Sequence, residues 1–443
     1  FDIKQEYLDM LNSKLPFELT NAQNKVIQEL LSDMKKPEPM NRLIQGDVGS
    51  GKTIVAFYAA MLAILNGKQV AMMAPTEILA EQHYKNFVGL FGGDVRAELL
   101  ISSINKSEKQ RIRTEIQKGT LGFVVGTHAL IQDEVDFNSL GLIIVDEQHR
   151  FGVEHRLSLM KKGAPDTIVM TATPIPRTLA MTLYGDLDVC VIDEKPKGRQ
   201  AITTRVVNED KRKVVYDFIK EELKKGRQAY FIYPLIEESE KLMLKNAKDA
   251  VRVLATEFKS WNVGLLHGKM RGEEKEQVMR DFKDAKINLL VSTTVVEVGI
   301  DVPNATVMFI EHPERFGLSQ LHQLRGRIGR GDVRSVCIMM AGSNQTDTST
   351  KRLMAMVATD DGFKIAEEDL SLRGPGEFFG TRQHGIPGFR VGNLVRDIDV
   401  LVLARNEADR LIKVDPDLTL APHRKLRFML SERFKDKIRL MDS

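Results

Sequence analysis

The segment Gly46-Asp47-Val48-Gly49-Ser50-Gly51-Lys52-Thr53 fits the pattern G-x-x-x-x-G-K-[ST], directly after an apolar run and directly before an amphipathic stretch. Glycines at those places let backbone N–H groups close around a β-phosphate, and the helix N-terminus that follows adds positive potential. Lys52 is then expected to meet the β and γ oxygens of ATP, and Thr53 to ligate Mg²⁺. A Gly-rich turn that only caps a helix is the plainer alternative, and motif and context together favour the phosphate loop. Much further along, the apolar run Leu142 to Val145 ends in Asp146-Glu147-Gln148-His149. Carboxylates at a strand end beside a phosphate loop suit a metal site. Asp146 is expected to hold Mg²⁺ through its water shell and Glu147 to orient and deprotonate the attacking water, the two tasks of nucleoside triphosphate hydrolysis.

Groups so distant in sequence need a scaffold that gathers strand ends on one side. Short apolar runs supply it: Arg42 to Gln45, Gln69 to Ala74, Gly122 to Gly126, Leu142 to Val145 and Thr167 to Thr171. They have the look of buried parallel strands. Helical patterns such as Thr53 to Asn66 and Glu77 to Phe91 lie between them, so the repeat is βαβ and the class α/β. The polar stretch Asp193 to Gln200, with Pro196 and Gly198 and no apolar residue, is the best linker candidate. Beyond it the alternation resumes with Ala229 to Tyr233, Val263 to Leu266, Ile287 to Ser292, Thr306 to Ile310 and Ser335 to Met340, which predicts a second parallel sheet. After Ala341 the alternation stops. Thr350 to Val357 and Lys364 to Leu370 read as two helices, followed by a Gly-rich loop, Arg373 to Gly388, and a helical tail from Asp397 to Ser443. The expected domains are therefore residues 1–195, 196–345 and 346–443. No sequence repeat or low-complexity tract interrupts them.

A length of 443 residues exceeds one ordinary hydrophobic core, and 42% hydrophobic with 28% charged residues argues against extensive disorder. The net charge of +3 is too small to indicate a nucleic-acid ligand by itself. Cys190 and Cys337 stand far apart in apolar stretches, without disulfide or metal spacing, and read as buried thiols of a reducing cytoplasm. The longest apolar stretch, Tyr58 to Leu65, is too short for a membrane span.

With Thr171-Ala172-Thr173 following the carboxylate pair, the chain resembles the superfamily 2 helicases, whose fold is two RecA-like P-loop NTPase lobes, here with a small, mostly helical C-terminal appendage. Phe17 and Gln23, in and after Leu15-Pro16-Phe17-Glu18-Leu19-Thr20, match the family's adenine side. Thr76 in Ala74-Pro75-Thr76-Glu77, together with Thr127 and His128, resembles the positions that touch the nucleic-acid backbone, although each alone would pass for a helix N-cap or a turn. Thr171 and Thr173 would communicate nucleotide state to the nucleic-acid face. In Ser292-Thr293-Thr294-Val295-Val296-Glu297-Val298-Gly299-Ile300-Asp301 the family places Thr293 on nucleic acid and Gly299 and Asp301 on the nucleotide. Gln320-Leu321-His322-Gln323-Leu324-Arg325-Gly326-Arg327-Ile328-Gly329-Arg330 resembles the arginine-finger motif. There Gln323 is a coupling position, and Arg327 and Arg330 are the residues that reach the γ-phosphate when the second lobe closes on the first.

Flanking segments narrow the resemblance. Arg150-Phe151-Gly152, Thr173-Pro174-Ile175-Pro176-Arg177-Thr178 and Pro313-Glu314-Arg315-Phe316-Gly317-Leu318 are similar to the bacterial RecG and Mfd families. Arg373-Gly374-Pro375-Gly376-Glu377-Phe378-Phe379-Gly380, with Gln383 beyond, resembles the translocation motif those families share, in which Arg352, Arg373 and Gln383 match positions linked to movement along duplex DNA. Arg352 would equally pass for an exposed helix residue. Ser50 and Gln148-His149 favour RecG over Mfd. What this resemblance implies is an ATP-dependent translocase and helicase for branched and double-stranded DNA in recombination and repair, cytoplasmic and near the nucleoid, monomeric, with single-strand-binding protein as a partner. RecG members carry an N-terminal wedge domain that nothing in the sequence matches, so this chain is expected to hydrolyse ATP and bind duplex DNA while losing most preference for forks and Holliday junctions. The alternatives are an Mfd-type motor on stalled RNA polymerase, an RNA helicase, and a non-catalytic DNA-binding scaffold with a helicase fold.

Overall fold

The structure is a computed structural model that describes residues 1–130, 134–147, 165–173, 187–196, 201–234, 240–293, 302–331, 333–342, 346–378 and 397–433, with backbone only at 240–248, 373–378, 398 and 409. Two compact units divide the chain, Phe1–Leu372 and Arg373–Ser443.

The first unit contains two parallel sheets. One is built from β1 (Asn41–Gly46), β2 (Gln69–Met73), β3 (Ala97–Leu100), β4 (Phe123–Gly126), β5 (Leu140–Asp146), β6 (Asp166–Thr171) and β7 (Asp188–Ile192), in the order β3-β4-β2-β5-β6-β1-β7. The other uses β8 (Thr203–Asn208), β9 (Gln228–Ile232), β10 (Val263–Leu266), β11 (Leu289–Ser292), β12 (Ala305–Glu311) and β13 (Val336–Ala341), in the order β10-β11-β9-β12-β13-β8. Every described pairing is parallel, as helical crossovers between strands require. The two-sheet α/β expectation is met. The chain passes from one sheet to the other between Ile192 and Thr203, across the stretch read as a linker.

In the first lobe, α1 (Gln5–Lys14) and α2 (Asn21–Met34) precede the sheet, and α3 (Lys52–Leu65), α4 (Glu77–Phe91) and α5 (Lys106–Gln117) cross between strands. Thr20 and Gln23 form a capping box at the start of α2, and Thr76 and Asn105 cap α4 and α5. α3 is apolar nearly all round and buried from Val55 to Ala63. Beneath it Phe57 meets Phe87 and Phe123 edge-on, and Phe87 stacks on Phe123 at 3.8 Å between centroids. This rigid floor fixes the angle at which α3 leaves the phosphate loop.

The lobes touch. Ile78, from the first turn of α4, is buried in the second lobe's core with Tyr230 and Phe282, and Arg280 Nη2 lies 2.9 Å from Glu81 Oε1. Past β13, the helices Asp347–Ala358 and Gly362–Phe378 replace strand alternation. The second corrects the sequence reading: Arg373 to Phe378 is helical rather than loop. Extending a helix already running avoids the cost of nucleating one, which favours continuation through Gly374 and Gly376, although Pro375 has no N–H to add to the ladder. The tail contains the helices Ile398–Val414 and Arg424–Arg433, turned on Asp415, whose carboxylate accepts from the N–H groups of Thr419 and Leu420. Among the described residues no helix is long and apolar enough to cross a membrane.

Candidate nucleotide site between the two lobes

The loop from β1 to α3 turns through Gly49 and Gly51 in left-handed backbone, with φ of 75° and 86°. Only glycine takes Gly51's place without strain, because a Cβ there would also collide with Gln23 Nε2. The Lys52 ammonium is buried and donates to the carbonyls of Gly46 and Asp47 at 2.8 and 2.9 Å. Burial lowers its pKa, opposed by the nearby carboxylates of Glu147, Asp146 and Asp47, while the charge of Arg330 lowers it further.

Asp146 closes β5 and Glu147 follows in left-handed backbone, φ 54°, its N–H donating to Met170 O at 3.0 Å. That conformation is costly for a side chain larger than glycine's, and it turns two successive carboxylates apart. Asp146 Oδ2 lies 2.8 Å from His83 Nε2, leaving its other oxygen for a further task. Burial and the adjacent Asp146 charge push the Glu147 carboxyl up to about 7, against the pull of Lys52 and Arg327. A buried carboxyl that titrates near neutrality is suited to take a proton. Thr53 stands in the first turn of α3, and a hydroxyl with a strand-end carboxylate makes an all-oxygen donor set of the kind a hard divalent cation takes.

From the second lobe, the helix Leu318–Arg325 delivers the arginine segment. It ends at Gly326, where a Cβ would stand 2.9 Å from Val48 Cβ, so glycine permits the two lobes to meet backbone to side chain. Arg327 acts electrostatically on Glu147 and Arg330 on Lys52, so both second-lobe charges reach the first lobe's site. Gln323 Nε2 donates to Thr173 Oγ1 at 3.1 Å, and the Thr173 N–H donates to Thr171 Oγ1.

Sequence reasoning missed three polar residues here. His322 Nε2 is 2.5 Å from Asp47 Oδ1, Lys195 Nζ is 2.9 Å from Asp47 Oδ2, and Arg325 Nη2 is 3.0 Å from His322 Nδ1. Asp47 is held well below the usual carboxylate range, its own burial being outweighed by the His322 hydrogen bond and by Lys195. His83 is a fourth omission. His322 and Arg325 stand three apart on one helix, but Asp47, the partner of His322 and Lys195, and Asp146, the partner of His83, are brought to them only by the fold.

A cleft of about 940 Å³ lies on the far side of the loop, lined among others by Phe17, Thr20, Gln23, Gly51, Thr53 and Leu90. Gln23 spans it: Oε1 accepts from Thr20 N–H at 2.9 Å and Nε2 donates to Ser50 O at 2.9 Å. Phe17 is half exposed.

The expected nucleic-acid positions are dispersed. Thr76 Oγ1 accepts from Leu79 N–H as an N-cap, Thr127 is buried, and His128 is exposed. Thr293 is buried, and its Oγ1 has no hydrogen-bond partner among the described residues. Arg352 is half-buried on the helix Asp347–Ala358, its Nε likewise without one. Arg373 lies in helical backbone, while Gly299, Asp301, Gln383, Gln148-His149 and Pro174 to Thr178 fall outside the described residues.

Two parallel-sheet lobes with a phosphate loop in one and arginines from the other define the motor core of a superfamily 2 helicase. Family models agree along the chain: DEAD/DEAH box helicase over residues 20–182, helicase conserved C-terminal domain over 210–332, and the C-terminal part of domain 3 of the ATP-dependent DNA helicase RecG over 359–439. Within that class the chain belongs to the RecG family. It is 54% identical to the ATP-dependent DNA helicase RecG of Bacillus subtilis, over 90% of this chain and 59% of that protein. The RecG of Synechocystis is 51% identical over 96% of this chain and 51% of its own length. A solved structure of RecG bound to a three-way DNA junction matches with a TM-score of 0.78 and 46% identity, covering 90% of this chain and 52% of that one. The chain thus spans only about half the length of these relatives.

Proposed function

We propose that the chain is an ATP-hydrolysing motor that moves on double-stranded DNA and remodels branched DNA in recombination and repair. The observation that carries this is the split site: the helix that leads to Arg327 and Arg330 on one lobe meets the glycine-rich loop of the other, with His322 Nε2 2.5 Å from Asp47 Oδ1 and Gly326 against Val48. In this reading the loop amides from Gly49 to Thr53 and the Lys52 ammonium bind the β- and γ-phosphates. Thr53 and Asp146 would hold Mg²⁺, which would supply positive charge against that of the phosphates. Glu147 accepts the proton of the attacking water, and Arg327 and Arg330 stabilise charge on the transferred group only when the lobes are closed. Phe17 and Gln23 face the base. Gly299 and Asp301 belong to the nucleotide side by resemblance.

Hydrolysis that depends on lobe closure can alternately grip and release a DNA strand. Thr76, Thr127, His128 and Thr293 are assigned to its backbone, Thr171, Thr173 and Gln323 to communication between the sites, and Arg352, Arg373 and Gln383 to duplex movement. Residues 1–195, 196–345 and 346–443 serve as the corresponding domains. A cytoplasmic, nucleoid-side location, a monomeric state and single-strand-binding protein as a partner go with this assignment.

The test is turnover of ATP with single-stranded, duplex, forked and four-way DNA compared side by side, for the wild type and for Lys52→Ala. Stimulation by duplex and branched DNA that disappears in Lys52→Ala is expected. Wild-type turnover in that variant would refute the phosphate site, and stimulation by RNA alone would refute the track.

A further inference from the structure

Asp47 sits inside the phosphate loop, where its Oδ1 accepts from the Val48 N–H at 2.7 Å, and both of its carboxylate oxygens also engage groups outside the loop. Oδ1 lies 2.5 Å from His322 Nε2 in the second lobe, and Oδ2 lies 2.9 Å from Lys195 Nζ in the segment joining the lobes. Lys195 also donates to the carbonyl of Asp360 at 2.8 Å. On its other side His322 meets Arg325 Nη2 at 3.0 Å. A guanidinium has only hydrogens to give, so His322 Nδ1 is the acceptor and the ring proton sits on Nε2, from which it is donated to Asp47. Arg325, wholly buried, is itself fixed by the carbonyls of Met356 and Thr359 at 2.7 and 2.9 Å and by Asp360 at 3.2 Å. The last turn of the helix Leu318–Arg325 is therefore pinned at both ends of one imidazole, just before Gly326 rests on Val48 and the chain reaches Arg327 and Arg330.

We propose that Asp47, His322 and Lys195 form an interlobe latch that sets the register of Arg327 and Arg330 on the phosphate loop. Asp47 thus ties the loop, through the Val48 N–H as well as its own backbone, to the second lobe, and His322 is a positioning residue acting through the arginines. The proposal rests on the ATPase reading above. A latch of this kind affects turnover far more than nucleotide affinity, because the amides and Lys52 assigned to phosphate all belong to the first lobe. It also depends on a donor aimed at Asp47 and an acceptor aimed at Arg325, which a glutamine amide supplies and a methyl group does not.

The experiment compares the wild type with His322→Ala, His322→Gln, Asp47→Asn and the double variant Asp47→Asn/His322→Ala. It measures turnover at saturating ATP with duplex DNA, and affinity by titration of a fluorescent ADP analogue. His322→Ala removes the bond that joins the loop to the arginine helix while Lys195 still pairs with Asp47, so turnover is expected to fall about ten- to a hundredfold, with affinity changed less than about twofold. His322→Gln is expected to recover most of the rate, and the double variant to be no slower than His322→Ala, since both changes break one contact. Equal slowness of the Gln and Ala variants, loss of affinity in step with turnover, or multiplicative effects in the double variant would each overturn the latch. A wild type that hydrolyses no ATP would instead overturn the reading beneath it.

Discussion

Replacing Glu147 by glutamine is expected to abolish hydrolysis and, above neutral pH, to make the protein more stable. Glu147 ionises in the folded chain only near 7, because burial and the charge of Asp146 oppose the carboxylate, whereas the same group in an unfolded chain ionises near 4.5. A folded-state pKa raised above the unfolded one means that stability is fully present below the unfolded value and is lost as the pH rises through the folded value. The window is therefore about pH 4.5 to 7. At about 1.4 kcal/mol per unit, the ionised group costs on the order of 3 kcal/mol at pH 8. Glutamine has the shape of the protonated acid and escapes that cost. Urea unfolding of the wild type and Glu147→Gln at pH 5 and pH 8 would show it: nearly equal midpoints at pH 5, and a higher midpoint for the variant at pH 8. The same titration should appear in the rate. A base must be deprotonated to act, so kcat/KM for ATP should fall as the pH drops through about 7. A variant no more stable than the wild type at pH 8, or a rate flat between pH 6 and 8, would refute the burial argument.

Two further outcomes are expected. Gly326→Ala places a methyl group against Val48, so turnover should fall while nucleotide affinity holds, and adding Val48→Gly, which removes the facing Cβ as well as its methyls, should restore much of it; a fall that the second change does not relieve would place the defect elsewhere. Arg373→Ala should leave DNA-stimulated hydrolysis largely intact while abolishing unwinding in a strand-displacement assay, and loss of both together would point to a folding role.

What the sequence makes legible follows burial. The central strands β2, β4, β5, β9 and β12 are wholly buried, so they stand out as continuous apolar runs. The edge strands β3, β7 and β8 carry exposed or half-exposed residues and escape that test, whereas β10, also an edge, is still read from its apolar run Val263 to Leu266. The site divides similarly. Lys52, Asp146 and Glu147 are legible because they stand in short motifs, G-x-x-x-x-G-K-[ST] and D-E-x-H, that a sequence displays directly. His83, Lys195, His322 and Arg325 respond to partners brought near only by folding, and a histidine inside an arginine-rich motif has no reason to be noticed until Asp47 is found opposite it. The helical Arg373 to Phe378 shows the reverse error, in which local composition was weighed without the helix already running into it.

Cys190 and Cys337 lie one in each sheet, both buried, their thiols pushed up to about 12. At neutral pH neither offers thiolate to an alkylating dye, and neither surface admits one. For spectroscopy the chain behaves as though it had no cysteine. A single thiol introduced on the outer face of each lobe would accept a fluorophore selectively, so that opening and closing could be followed by energy transfer without removing either native cysteine.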